Sequence, residues 1–263
     1  MSVFSLEGKV AIVTGGSKGI GRGIAKMFAE FGADVCISAR GKKDLESTRK
    51  EIEQHGHRVM AISGDIMNDD DLERVVSETA SELGGVDVLV NNALYSNVDQ
   101  GTAKMAKVTK QEYMNMIQGN VWAPVRLAQL CRPLMIERGG GVIINISSNS
   151  GMIGDEGLGA YPHSKAALNN VTRQLAKEWG KDKIRVVGIA PGLIRTPLVS
   201  GEGGLIQYLE DKGLPSLAID GSIGEPEEIA SVALLLASQA GRYVNGQTFV
   251  VDGGELIRGV AMA

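Results

Sequence analysis

Tyr161 and Lys165 stand four positions apart in the stretch "YPHSK" (161–165). A phenol one helical turn before an ammonium projects from the same helix face. A nearby cation favours the ionised phenol and lowers its pKa from the usual value of about 10. Such a pair can trade a proton with a substrate oxygen near neutral pH, where a lone tyrosine is a poor base. Ordinary helices also carry this spacing, so the pentapeptide alone leaves both readings open. Pro162 suits the first turn of a helix, where N–H groups lack intrahelical partners. It predicts that a helix starts here, with the pair straddling its first turn.

A second chemical signal is "TGGSKGIG" (14–21), with Gly15, Gly19 and Gly21 spaced around Ser17, Lys18 and Ile20. Glycines allow a sharp turn and close backbone approach, and a following helix N-terminus offers free N–H groups to a pyrophosphate. A strand before this loop and a helix after it are the context a dinucleotide site requires. The next strand ends "CISAR", with Ser38 and Arg40 and no acid to hold a ribose 2′-hydroxyl. Arg40 and Lys18 are two cations suited to a 2′-phosphate, so NADP(H) is expected rather than NAD. Two solvated surface cations are the alternative.

The elements that must position these groups are legible as seven short apolar runs: 9–15, 34–40, 58–65, 86–93, 141–148, 184–192 and 247–254. Each is nearly continuous, as for strands buried on both faces of a parallel sheet. Helical patterns fill the gaps. In 20–32 they place Ile20, Ile24, Met27 and Phe31 on one face, with Gly32 as C-cap. The run Asp69–Asp71 suits a helix start. Alternating β and α elements with right-handed crossovers predict an α/β fold, one doubly wound Rossmann domain over 1–263 with helices on both faces. Residues 198–220 mix glycines with Leu198, Leu205, Ile206, Tyr208 and Leu209. They suit a substrate lid, or equally a surface insertion with a short helix.

The composition excludes several classes. A net charge of −4 argues against nucleic-acid or anionic-membrane partners. The two cysteines, Cys36 and Cys131, make no disulfide framework. His55 and His57 lack a supporting metal-ligand cluster and fit a solvated loop, so no metal is expected. The stretch "MSVFSLEGKVAIVTGG" lacks the pattern of a secretory leader, so a cytoplasmic location is expected.

In order, "TGGSKGIG", "GDI", "NNA", Asn120 in "QGNVWAP", "ISSNSG", "YPHSK", "PGLIRTP" and "VDGG" make the chain resemble the short-chain dehydrogenase/reductase family over about 7–254. Within it the chain is most similar to the β-ketoacyl-carrier-protein reductase-like branch. The resemblance implies a catalytic set of Asn120, Ser148, Tyr161 and Lys165. Ser148 is preferred to Ser147 because it opens "SNSG" and lies thirteen residues before Tyr161. It further implies that Asp65 and Ile66 meet the adenine, that Asn92 and Ala93 line its ribose, and that Asn91 steadies the central strand. Pro191, Gly192, Ile194 and Thr196 would hold the nicotinamide. Leu94 departs from the family's glycine in "NNAG". The implied activity is NADP(H)-dependent interconversion of a small-molecule ketone and secondary alcohol, in a homotetramer. An NAD-dependent alcohol, sugar or steroid dehydrogenase, or a non-catalytic NADP sensor, are the alternatives.

Overall fold

The computed structural model describes residues 2–96, 104–200, 204–212 and 218–257. Seven parallel strands form one sheet: β1 (Val10–Thr14), β2 (Asp34–Ala39), β3 (Val59–Ser63), β4 (Val88–Asn91), β5 (Gly141–Ile146), β6 (Ile184–Pro191) and β7 (Thr248–Val251). Their order is β3-β2-β1-β4-β5-β6-β7. The order reverses between β1 and β4, which opens a crevice at the strands' carboxyl ends, where open α/β sheets bind ligands. Every predicted strand is present, trimmed at its ends.

Burial on two sides follows from the two-residue strand period. Ala11 and Val13 of β1 and Val88 and Val90 of β4 join one core with Ile24, Phe28, Leu45 and Ile229. Val10, Ile12 and Leu89 join the other, with Leu72, Val76, Leu127 and Met135. The first core lies under α1 (Gly19–Glu30), α2 (Lys42–Glu53) and α9 (Pro226–Ala237), and the second under α3 (Asp69–Leu83) and α5 (Ala123–Glu137). The remaining helices are α4 (Lys110–Ile117), α6 (Tyr161–Trp179), α7 (Pro197–Ser200) and α8 (Leu205–Asp211). No helix among the described residues is long and apolar enough to cross a membrane.

The face of α1 differs from the sequence expectation. Ile24 is buried with Gly21, Gly23, Ala25 and Phe28, whereas Ile20, Met27 and Phe31 are only partly buried. Small residues centre the buried stripe because α9 packs close: a Cβ on Gly23 would lie 3.2 Å from Pro226 Cβ. The C-cap of α1 is Phe31, one position before the expected Gly32, which takes the left-handed φ of 103° that the position after a C-cap favours. Asn68 caps α3, and Asp69–Asp71 occupy its first turn.

The glycine loop is held from below. Asn92 Nδ2 donates to Thr14 O (2.8 Å) and Gly15 O (3.3 Å). Gly15 has φ +65°, and a Cβ on Gly21 would lie 2.4 Å from both Asn92 Nδ2 and Gly15 O. Backbone and a hydrogen-bonded amide cannot yield to that atom. Gly21→Ala is therefore expected to lower unfolding free energy by about 1–3 kcal/mol and to weaken dinucleotide binding. Urea melts and cofactor titration check this; an unaltered melt refutes the tight cradle.

Candidate active site

The helix bearing Tyr161 and Lys165 is fixed from the sheet. Asn91 Nδ2 of β4 donates to Asn145 Oδ1 of β5 (2.8 Å), and Asn145 Nδ2 donates to Thr172 Oγ1 of α6 (2.9 Å). Asn91 thus steadies the central strands, as expected. Tyr161 is the first residue of α6, with Pro162 in the first turn. Lys165 is 4% exposed. Its Nζ lies 5.7 Å from the Tyr161 ring centre and donates to Ile146 O (2.8 Å).

The two serines of "ISSNSG" separate cleanly. Ser147 Oγ donates to Lys165 O (3.2 Å), a structural tie to α6. The Ser148 side chain faces the Tyr161 phenol and acts to lower its pKa. The structure thereby brings Ser148, Tyr161 and Lys165 together. Asn120 lies nearby within a π-helical turn, Gln118–Trp122, that precedes α5. Such turns displace the backbone and recur at functional sites. The Asn120 side chain is committed: Oδ1 accepts Tyr95 N–H (2.9 Å), and Nδ2 donates to Tyr95 O (3.2 Å) and Ser164 Oγ (3.2 Å).

The charge expectation for the pair needs correction. Burial pushes the Tyr161 phenol up; Ser148 opposes this, and Asp155 adds to it. Burial is the largest effect on the phenol, and the Lys165 Nζ donates to Ile146 O. Burial lowers Lys165 itself from 10.5 to about 8.

A cavity of about 340 Å³ is lined by Gly15, Ser17, Lys18, Ser38, Arg40, Asp65, Ile66 and Ala93, all sequence-predicted cofactor residues. Asn92 is instead turned onto the glycine loop, which its hydrogen bonds consume. Asp65 Oδ1 accepts Met67 N–H (3.0 Å). Asp44 lines the same cavity and pairs with Lys18 (2.8 Å), a partner that sequence reasoning missed. Leu94 also lines it. Among described non-glycine residues only Lys183 has positive φ, so Leu94 needs no glycine backbone. The shape and donors of this glycine-floored cavity fit the adenosine half of a dinucleotide.

Of the loop expected to hold the nicotinamide, Gly192 N donates to Val251 O (3.0 Å), Pro191 ends β6, and Ile194 bridges to Gly224. Thr196 rests on Gly19, whose added Cβ would lie 2.9 Å from Thr196 Cγ2. In the expected lid, Ile206 and Leu209 are buried, while Leu198 is exposed. Residues 201–203 and 213–217 and the Tyr208 side chain lie outside the described residues. Burial pushes the Cys36 thiol up to about 12, so it is an inert core residue. Among the described residues no His, Cys, Asp and Glu group forms a metal site.

Comparison with known proteins agrees with this geometry. A family model described as enoyl-(acyl carrier protein) reductase matches residues 15–255. A 3-oxoacyl-(acyl-carrier-protein) reductase of Thermotoga maritima is 34% identical over 252 residues, 96% of this chain and 99% of that protein. L-sorbose reductase from Gluconobacter frateurii, solved with NADPH and L-sorbose, superposes with a TM-score of 0.89 at 32% identity, covering 98% and 100% of the two chains. A 7α-hydroxysteroid dehydrogenase complexed with NADH and 7-oxoglycochenodeoxycholic acid gives 0.85 at 35%, covering 95% of each. The chain belongs to the short-chain dehydrogenase/reductase family, in its β-ketoacyl-carrier-protein reductase-like branch. It is an oxidoreductase of a family that works on CH–OH and C=O groups with a nicotinamide cofactor.

The buried ammonium has a measurable consequence. Below pH 8 Lys165 is charged in both folded and unfolded chains, so its burial penalty is complete. Between about 8 and 10.5 the unfolded chain binds more protons, and stability rises with pH. The shift corresponds to about 3 kcal/mol, against about 1 kcal/mol for the bond to Ile146 O. Cofactor-free Lys165→Met should therefore melt above wild type at pH 7, with the gap closing as the pH rises from 8 towards 10.5. A gap independent of pH in thermal melts refutes this.

Proposed function

We propose that the protein is an NADP(H)-dependent oxidoreductase that interconverts a small-molecule ketone and a secondary alcohol, with Tyr161 exchanging the proton. The observation that carries this is the Tyr161 phenol, faced by the Ser148 side chain and one turn from a buried lysine whose Nζ lies 5.7 Å from its ring centre. A nicotinamide dinucleotide, when bound, supplies or accepts the hydride at carbon. Gly15, Ser17, Gly19, Ile20 and Gly21 present the helix N-terminus to its phosphates, and Ser38, Asp65, Ile66 and Ala93 enclose its adenosine. Pro191, Gly192, Ile194 and Thr196 hold its nicotinamide end.

On the substrate side, Ser148 donates a hydrogen bond to the carbonyl oxygen. Tyr161 gives its proton to that oxygen as negative charge develops. Lys165 supports the phenolate that remains and holds the adjacent ribose. The Asn120 side chain is occupied by Tyr95 and Ser164, so its place in a proton path to solvent is through its backbone, loosened by the π-turn. Arg40, exposed on the cavity wall, and Lys18 favour a 2′-phosphate. The NAD-dependent reading draws on one specific observation: Asp44 already neutralises Lys18 and offers an acceptor to a ribose diol.

A homotetramer is part of this proposal. Most apolar residues of α5 are buried within the chain's own core, so the composition of that helix is a weak argument for an interface. Better support comes from Phe249 and Val250, exposed on the edge strand β7, and from Tyr243, exposed in the turn before it.

Tyr161→Phe should lower turnover of a responsive ketone about 10²–10⁴-fold while leaving NADPH affinity intact. A cofactor-sensing protein would show no turnover to lose, and its response would survive the change. Arg40→Ala should weaken NADPH binding about 10–100-fold, the worth of charge-assisted hydrogen bonds, and leave NADH binding nearly unchanged. Equal losses for the two cofactors by fluorescence titration would sink the 2′-phosphate assignment.

A further inference from the structure

The run Asp69–Asp71 does more than start a helix, because its members part in direction. The Asp69 carboxylate accepts Trp122 Nε1–H (3.0 and 3.2 Å to its two oxygens). Asp70 gives its backbone N–H to Asn68 Oδ1 (3.0 Å). Asp71 turns back along the chain: Oδ2 accepts the Asp65 backbone N–H (2.9 Å), and Oδ1 accepts Arg74 Nη2–H (2.6 Å). The same Arg74 nitrogen donates to Ser63 O at the end of β3 (2.6 Å). Ser63 Oγ in turn donates to Arg40 O (3.2 Å). Each link is a direct hydrogen bond. Together they tie α3 to the loop carrying Asp65 and to the turn carrying Arg40.

Both of those groups line the cavity that fits an adenosine. They also line a neighbouring groove of about 890 Å³, together with Ser63, Asp71 and Arg74. Asp65 Oδ1 accepts Met67 N–H (3.0 Å), and no donor among the described residues reaches Oδ2. A carboxylate oxygen accepts only, so the open one calls for an N–H on the ligand. Adenine has an exocyclic amino group to offer it. Hypoxanthine has a carbonyl in that place and would set oxygen against oxygen. The Met67 bond fixes the carboxylate only relative to its own loop, since Met67 lies two residues on. Asp71 and Arg74 fix that loop relative to α3 and β3, through charge-assisted bonds that are about twice as strong as neutral ones.

We infer that Asp71, held by Arg74, is a positioning residue for adenine recognition: it fixes the Asp65 loop so that the open carboxylate oxygen meets the amino group of the base. The inference rests on the dinucleotide reading proposed above and adds to it the group that enforces the choice of base.

Fluorescence titration of the protein with reduced dinucleotides tests this without any substrate. NADPH and NADH are each compared with the counterpart that carries hypoxanthine in place of adenine. Wild type should bind the adenine form of its preferred cofactor about tenfold more tightly, the worth of one hydrogen bond to a charged group. Asp71→Ala should reduce that ratio below about threefold, by weakening the adenine form and leaving the hypoxanthine form nearly unchanged. Arg74→Met should lower the ratio less, since the bond from Asp65 N–H to Asp71 survives. Asp71→Asn keeps one acceptor oxygen and should retain part of the ratio; it serves if the alanine variant melts early. Equal losses for both bases in Asp71→Ala would mean a merely structural role and overturn the inference. So does a ratio unchanged in both Asp71 variants. A wild type that binds the two bases equally overturns the inference alone, whereas one that binds no dinucleotide overturns the reading beneath it as well.

Discussion

A lysine ammonium held almost out of water is the constraint on which the site depends. Among the described residues the Lys165 ammonium has one hydrogen-bond acceptor, Ile146 O, at the end of β5. Leaving such a group buried is costly unless its surroundings are rigid. The rigidity comes from polar ties under α6: Asn91 to Asn145, Asn145 to Thr172, and Ser147 to the Lys165 carbonyl. Apolar packing could hold α6 on the sheet, but it would not fix the helix's rotation about its axis as closely. The direction in which Tyr161 and Lys165 point is therefore set by buried amides.

The same division explains what could be read from sequence. Strands were legible because burial on two faces leaves continuous apolar runs, and the two cores of β1 and β4 show that burial directly. The glycine loop was legible because backbone and amide contacts at Gly15 and Gly21 leave no space for a Cβ. The start of α6 was legible because Pro162 is tolerated in a first turn. Contacts between distant polar groups leave no such trace. Nothing local marks Asp44 as the partner of Lys18, Asn92 as the prop of the glycine loop, or Asp71 as the acceptor of the Asp65 N–H. The π-turn at Asn120 was equally hidden, because the apolar pattern of "QGNVWAP" is compatible with an uninterrupted helix. The stripe misplaced on α1 has a related cause. Large apolar residues attract attention in a periodicity count, yet the tightest contact there is made by glycine and alanine.

The phenol shows how magnitudes decide between effects that point in opposite directions. From sequence, the cation one turn away should dominate. In the fold, desolvation of the Tyr161 hydroxyl dominates, and the cation at 5.7 Å from the ring centre is engaged elsewhere. A raised pKa suits an acid more than a base, so the pocket favours the tyrosine as donor at neutral pH. Alcohol oxidation by the same site would need either higher pH or a change in the local charges.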